Sequence, residues 1–433
     1  MLIPAVFLSL CPSHQVWSTM QKYSKKGIRM DKKSSIAVLG TFDTKGEEHS
    51  FLKDCIEQRG LRTLTIHVGT KRSASCTVGF DLFTSLKEKG ILQDGQDRDE
   101  MIQTMMEEAG KFVKELVDQG EISGIVSAGG GSGTHLCTGI MRMLPLGIPK
   151  VMLSTVASRD MSHVVGTKDI TMMHSVVDIL GINSILGRML DKAAAAVCGM
   201  AQSTWTPDKN RQRIALSFFG FITQAAEQIK ELLENKGYEV VTFHANGTGG
   251  TAMEELALEG FFDGILDLAT HELADDLMEG YCSGIWSRRF EDIPDVPRLV
   301  VPGGLDCAVL EFDRYHIPEQ YKDRKIFFYD FRSAIRLNKK ETSIIAQQLS
   351  EKLNRAKKDV SVLIPMKGWS VADSIDGPLY DPEMNALFIK IFKENLSNTI
   401  IVKEENFHIN DLSFAKSAVD IMVQMIAEKK RKA

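Results

Sequence analysis

The residues from Gly124 to Thr134 read Gly-Ile-Val-Ser-Ala-Gly-Gly-Gly-Ser-Gly-Thr. Ile125 and Val126 have the character of a buried strand end, and His135 to Met143 that of a helix. Between them lies a loop almost bare of side chains, whose peptide N–H groups can approach an anion closely. A helix N-terminus adds about half a positive charge and unpaired donors. Gly129, Gly130, Gly131, Ser132, Gly133 and Thr134 are therefore candidates for a phosphate cradle. The pattern G-x-x-x-x-G-K-[ST] fails because no lysine precedes Thr134, and G-x-G-x-x-G fails because Thr134 stands where its last glycine belongs. The competing reading is a tight strand-to-helix turn with no ligand.

Asp43, Lys45 and Glu47 form a second set, in Gly40-Thr41-Phe42-Asp43-Thr44-Lys45-Gly46-Glu47-Glu48. Ile36–Leu39 before them reads as a buried strand, so they leave a strand C-terminus, where α/β folds place ligand contacts. A capped turn with solvated charges is the alternative. Acid and base candidates form a third set: His244, Glu254 and Asp306 lie at or just after glycine turns of the second half. His244 has an alternative as a strand-end histidine bonded to backbone, Glu254 as a first-turn helix acid and Asp306 as a cap. His163 and His174 are isolated and read as packing or surface residues. No Ser-His-Asp spacing or metal-ligand cluster stands out.

The elements that must position these groups alternate. A helix with Phe51, Leu52, Cys55 and Ile56 on one face stops at Gly60, and Thr63–Val68 is the next strand. Residues 70–98 read as long and irregular, a segment suited to covering a site or an interface. Met101, Ile102, Met105, Met106, Ala109, Phe112, Val113 and Leu116 recur at helical spacing. Strands are expected at 149–153 and 170–173, and a helix from about Ser184 to Met200. After a polar stretch from Gln202 to Arg211, taken as the domain boundary, strands and helices alternate again to the C-terminus. The expected fold is α/β, with two Rossmann-like domains at 34–203 and 211–433, mostly parallel sheets and a cleft between them.

Composition limits the rest. The 433 residues are 43 % hydrophobic and 25 % charged, as in an ordinary globular protein. A formal net charge of −5 provides no basic field for sequence-independent nucleic-acid binding. Seven scattered cysteines without a C-x-x-C pair read as buried thiols of a reducing cytosol. Leu2–Cys11 is apolar but too short to span a bilayer, and no later run is long enough for a membrane helix. Residues 1–33 read as a disordered extension or a start-site artefact, with the functional chain beginning near Met20 or Met30. A cleaved signal is the alternative.

Several stretches in this order resemble one family: Gly40-Thr41-x-Asp43-Thr44-Lys45, the Gly129–Thr134 loop, Leu146–Val151 running into Ser154–Ser158, Ser175–Ile179, the His244–Gly250 turn and Tyr380–Glu383. Together they are similar to the Tm-type ATP-binding family, the tomato mosaic virus resistance protein-like proteins. The resemblance covers Ser35 to the C-terminus. It implies two Rossmann-like domains that bind ATP with Mg2+, commonly as a homodimer. It also implies a role through partners: the plant member binds a viral replication protein. Larger relatives carry a TIM barrel after this region, so a separate barrel protein is an expected partner. By position, Asp43, Lys45 and the 129–134 loop match the family's nucleotide-site motifs. Arg98 falls at an arginine of the plant member, though in different surroundings, and Ser132 lies one place later than its serine. Thr134 is then the candidate Mg2+ or phosphate contact, and Lys45 and Arg98 neutralise phosphate charge. The alternative function is an enzyme on a small carboxylate or phosphorylated substrate held between the domains.

Overall fold

The computed structural model describes residues 34–205, 208, 210–285, 289–291, 296–356 and 359–432. The expectations for residues 1–33 lie outside these. The chain divides into two compact units, the first ending at Ser203 and the second starting at Thr204, with Gly166–Lys168 grouped with the second.

In the first unit, β1 (Ser35–Gly40) is buried along its whole length and leads through α1 (Gly46–Glu57) to β2 (Thr63–His67). There follow β3 (Phe80–Asp81), α2 (Leu82–Glu88), α3 (Arg98–Asp118), β4 (Ile122–Gly129), α4 (Gly131–Arg142), β5 (Lys150–Ser154), α5 (Ser162–Val165), β6 (Ile170–His174) and α6 (Ser184–Ala201). The strands form one parallel sheet in the order β3-β2-β1-β4-β5-β6. Strand side chains alternate between two cores. Ala37 and Leu39 join Met105, Val113 and Ile140 on one face, while Ile36 and Val38 join Leu52, Leu186 and Val197 on the other. Each large aliphatic side chain fully buried in this way stabilises the fold by about 1.5–3 kcal/mol.

The chain runs outward from β1 to β3, then returns to lay β4 against β1. Open α/β sheets bind ligands in the crevice that such a reversal leaves at the strand carboxyl ends. The Thr41–Lys45 and Gly130–Gly133 segments both leave the sheet at that crevice.

Two elements differ from expectation. Helix α4 starts at Gly131 rather than His135, because Thr134 N–H bonds Gly130 O at 2.8 Å and closes the first turn over three residues of low helix propensity. Residues 70–98 are not irregular throughout. They hold β3 at the sheet edge and α2, whose N-cap Asp81 carboxylate accepts from Thr84 N–H at 3.0 Å.

The second unit repeats the plan with β7 (Arg213–Phe218), α7 (Thr223–Asn235), β8 (Glu239–His244), α8 (Thr248–Leu258), β9 (Gly264–Ala269), α9 (Glu272–Met278) and β10 (Arg298–Gly303). It continues with β11 (Cys307–Leu310), β12 (Ile326–Phe328), β13 (Ser333–Arg336), α10 (Lys339–Arg355), β14 (Val360–Pro365), α11 (Pro382–Asn395), β15 (Ile401–Glu405) and α12 (Leu412–Lys432). Its parallel sheet has the order β15-β14-β10-β9-β7-β8, so its reversal lies between β7 and β9. A small antiparallel sheet, β11-β13-β12, adds to this plan; Lys325–Tyr329 reads as a strand from sequence and holds β12, whereas the sheet itself was not expected.

Candidate functional site

A pocket of about 260 Å³ opens at the first unit's reversal, lined by residues from four segments: Thr41–Lys45, Thr70 and Lys71, the start of α3, and Gly130–Gly133. Asp43, Lys45, Arg98, Gly130, Gly131, Ser132 and Gly133, all expected from the sequence, line it together. A second pocket of about 380 Å³ shares Thr70, Lys71 and Arg98 and adds Phe83 and Met101. Residues 70–98 thus form walls of both.

The glycine turn is open for an anion. Gly130 is an extended N-cap that supplies no side chain, and the first helical bond is the one from Thr134 N–H. Among the described residues, none accepts from the amides of Gly131, Ser132 or Gly133. A Cβ built on Gly131 or Gly133 meets nothing within 4 Å, whereas one on Gly129 meets the Gly133 carbonyl carbon at 3.1 Å. The first two glycines keep the space in front of the amides clear, and Gly129 lets strand and helix approach.

The charged residues are held from behind. Lys45 Nζ donates to Ile179 O, and Arg98 Nη2 donates to Ser132 Oγ at 3.2 Å. Arg72 Nη2 donates to Asp43 O at 2.8 Å, and His67 Nδ1 accepts from Phe42 N–H at 3.0 Å while its Nε2 meets Arg72 O at 2.9 Å. Lys45, Lys71 and Arg98 form no ion pair with a carboxylate among the described residues. The buried Asp43 carboxylate is the pocket's acid.

Thr134 departs from its expected role. It is 1 % exposed, its hydroxyl lies 2.7 Å from Ser154 Oγ and reaches Gly129 O at 3.4 Å, and it does not line the pocket. With the helix beginning at Gly131, residue 134 has already turned into the strand layer. Ser132 presents the pocket's hydroxyl on this turn, and Gly129 supports the turn from below.

The acid/base candidates of the second unit have separate fates. Glu254 is 1 % exposed and bonded by Arg289 Nη1 at 2.9 Å and by Arg298 Nη1 and Nη2 at 2.8 and 2.5 Å. Asp267 and Glu272 complete this buried network. Despite its burial, the two guanidiniums hold Glu254 down at about 2, which suits charge compensation and not proton transfer. Asp306 Oδ2 accepts from Ser370 Oγ at 2.8 Å, and burial with the neighbouring Asp373 pushes its carboxyl up to about 7. His244 ends β8 and is lowered by burial and then by Arg332. His244 therefore stands at the carboxyl end of β8, and Asp306 in the turn between β10 and β11.

Comparison with known proteins places these observations. Residues 34–206 and 211–426 match the N-terminal and C-terminal domains of the family described as "Uncharacterised protein family (UPF0261)". The chain belongs to UPF0261. A UPF0261 protein of Clostridium tetani is 38 % identical over 412 residues, covering 92 % of this chain and 100 % of that protein. The ToMV resistance protein Tm-1(GCR237) of Solanum lycopersicum is 32 % identical over 422 residues, covering 89 % of this chain and 55 % of that protein. The ToMV susceptible protein tm-1(GCR26) of the same plant matches equally, so the similarity does not follow viral resistance.

One grouping in this UPF0261 chain was missed. His271, Asp275 and Cys282 are all buried, and one ligand atom from each lies within 4.8 Å of the others. Burial lowers His271 to about 3 and raises Asp275 to about 8. His271 and Asp275, four apart, could have been read as one face of a helix, but nothing in the sequence brings Cys282 back to them. Among the described residues no helix is long and apolar enough to cross a membrane.

Proposed function

We propose that the first unit binds ATP with Mg2+, and that the protein acts through nucleotide-dependent interactions of its domains or partners. The observation that carries this reading is the set of unengaged amides at Gly131, Ser132 and Gly133, facing a pocket that also holds Lys45, Lys71 and Arg98. A triphosphate there meets backbone donors on one side and three cations on the others. Asp43 is the acid available to a hydrated Mg2+, which keeps several waters and needs few protein oxygens. The adjoining pocket, with Phe83 and Met101, offers apolar surface to the base. Nucleotide pockets of about 300–1,000 Å³ are usual, so both pockets are needed. The Tm-type resemblance supports the same ligand and adds a homodimer and a separate TIM-barrel partner to the proposal.

Calorimetry with MgATP, run beside a phosphate-release assay, tests it. Saturable binding without turnover is expected. Absence of binding in the presence of Mg2+ contradicts the reading. A second reading, an enzyme on a small carboxylate or phosphorylated substrate, is favoured by Asp306, whose carboxyl is pushed up to about 7 by burial in the turn between β10 and β11. ATP turnover, or turnover of such a substrate that Asp306→Asn abolishes, supports that alternative.

A further inference from the structure

The second unit holds a group of side chains that nucleotide binding in the first unit does not use. His271 follows β9 at the reversal of the second sheet, and its ring stacks on Phe219, just past β7, at 3.9 Å between centroids. The ring is fully buried, yet among the described residues neither nitrogen has a hydrogen-bond partner. Buried imidazoles of this kind call for a physical explanation. Asp275 lies one helical turn further, its N–H bonded to His271 O at 3.2 Å.

Asp275 is oriented in the manner of a ligand. Its Oδ1 accepts two backbone amides, Cys282 N–H and Val309 N–H, each at 3.1 Å. Its Oδ2 is buried and has no partner among the described residues. Cys282 reaches the site through a sharp turn, in which Glu279 adopts a left-handed φ of 52° and Gly280 N–H bonds Asp275 O at 2.7 Å. A Cβ on Gly280 would lie 2.4 Å from Asp275 Oδ1, so the turn closes tightly on the carboxylate. The result is a nitrogen, an oxygen and a sulfur within 4.8 Å of one another, with the carboxylate fixed from behind.

We propose that His271, Asp275 and Cys282 bind one divalent transition-metal ion, zinc by preference. Imidazole, carboxylate and thiolate together suit zinc, and hard Mg2+ or Ca2+ does not favour a thiolate. Zinc bonds of about 2.0–2.3 Å place tetrahedral donors roughly 3.3–3.7 Å apart, a spacing that the 4.8 Å limit on these three ligand atoms admits. Three protein ligands leave a fourth position for water or a substrate oxygen, the pattern of reactive zinc sites. His271 binds as the neutral imidazole that its burial already enforces, Asp275 as the carboxylate and Cys282 as the thiolate, and the protons displaced from Asp275 and Cys282 pass to solvent.

The full-length protein, stripped with a chelator and titrated with Zn2+ and separately with Co2+, tests the site. The expected result is one equivalent of metal per chain, with a thiolate-to-cobalt charge-transfer band and tetrahedral visible bands for the Co2+ form. Cys282→Ser should lose the charge-transfer band and at least tenfold in affinity. Asp275→Asn keeps the acceptor for the two amides and should lose affinity comparably while thermal unfolding of the metal-free protein stays near wild type. Stoichiometry below one half, or a Co2+ spectrum unchanged by Cys282→Ser, overturns the proposal. If Cys282→Ser fails to fold, Asp275→Asn decides the matter through the same titration.

Discussion

At the residue scale, two arginines do opposite work. Arg98 is exposed, and among the described residues its side chain bonds only Ser132 Oγ on the glycine turn. Arg98→Ala should leave thermal unfolding unchanged and weaken MgATP by about tenfold, roughly 1.4 kcal/mol. Calorimetry showing wild-type affinity would remove Arg98 from the site. Arg298, by contrast, is buried against Glu254 and Asp267. Glu254→Gln breaks that network and should cost about 3–5 kcal/mol of stability, read by denaturant titration. The acids also set opposite pH slopes. Glu254 is depressed in the folded state, so its contribution is present above its ordinary 4.5 and is lost as pH falls towards 2. Asp306 is raised, so the folded state holds its proton more tightly and stability falls as pH rises from about 4 to about 7. Asp306→Asn should flatten that second slope, measured as the denaturation midpoint across pH 4 to 7. A slope left unchanged would show that Asp306 ionises as an ordinary carboxylate in the folded protein.

At the scale of elements, the Thr41–Lys45 turn depends on the layer beneath it. A Cβ on Gly40 would lie 2.1 Å from His49 Nε2, and His49 Nδ1 meets Lys45 O at 2.7 Å. Gly40→Ala therefore pushes His49 into the Thr41–Lys45 turn. It should cost about 1–3 kcal/mol and weaken nucleotide binding as well, measured by thermal unfolding and calorimetry on one preparation. Elements with a strong pattern were legible: β1 fell where a continuous apolar run put it, and α1, α3 and α6 where helical spacing put them. The start of α4 was not, because Gly131, Ser132 and Gly133 argue against helix by propensity while their position ahead of Thr134 N–H makes them its first turn. The strand β3 has only two residues, too few to offer an alternation that could be read. Site residues on one loop could be paired in advance. The burial of Thr134 and the closure of Cys282 onto His271 and Asp275 depend on neighbours distant in sequence, Ser154 and Val309, and could not.

At the scale of the whole molecule, each unit has a parallel sheet covered on both faces by its own clusters, Ile36, Val38 and Leu190 among them in the first and Leu266, Val301 and Phe414 in the second. Every residue lining the proposed nucleotide pocket belongs to the first unit. A fragment of residues 34–203 should fold cooperatively and bind MgATP within about tenfold of the full chain. A folded fragment without affinity would show that the second unit supplies contacts.

The most direct measurement is calorimetric titration of MgATP into Gly131→Val. A Cβ at Gly131 meets nothing within 4 Å, so the substitution leaves the fold intact while adding bulk at the turn whose amides the account assigns to phosphate. The account predicts an unchanged unfolding temperature with binding reduced below detection. Wild-type affinity in that variant would mean that the turn is only a strand-to-helix connection and that phosphate binds elsewhere or not at all.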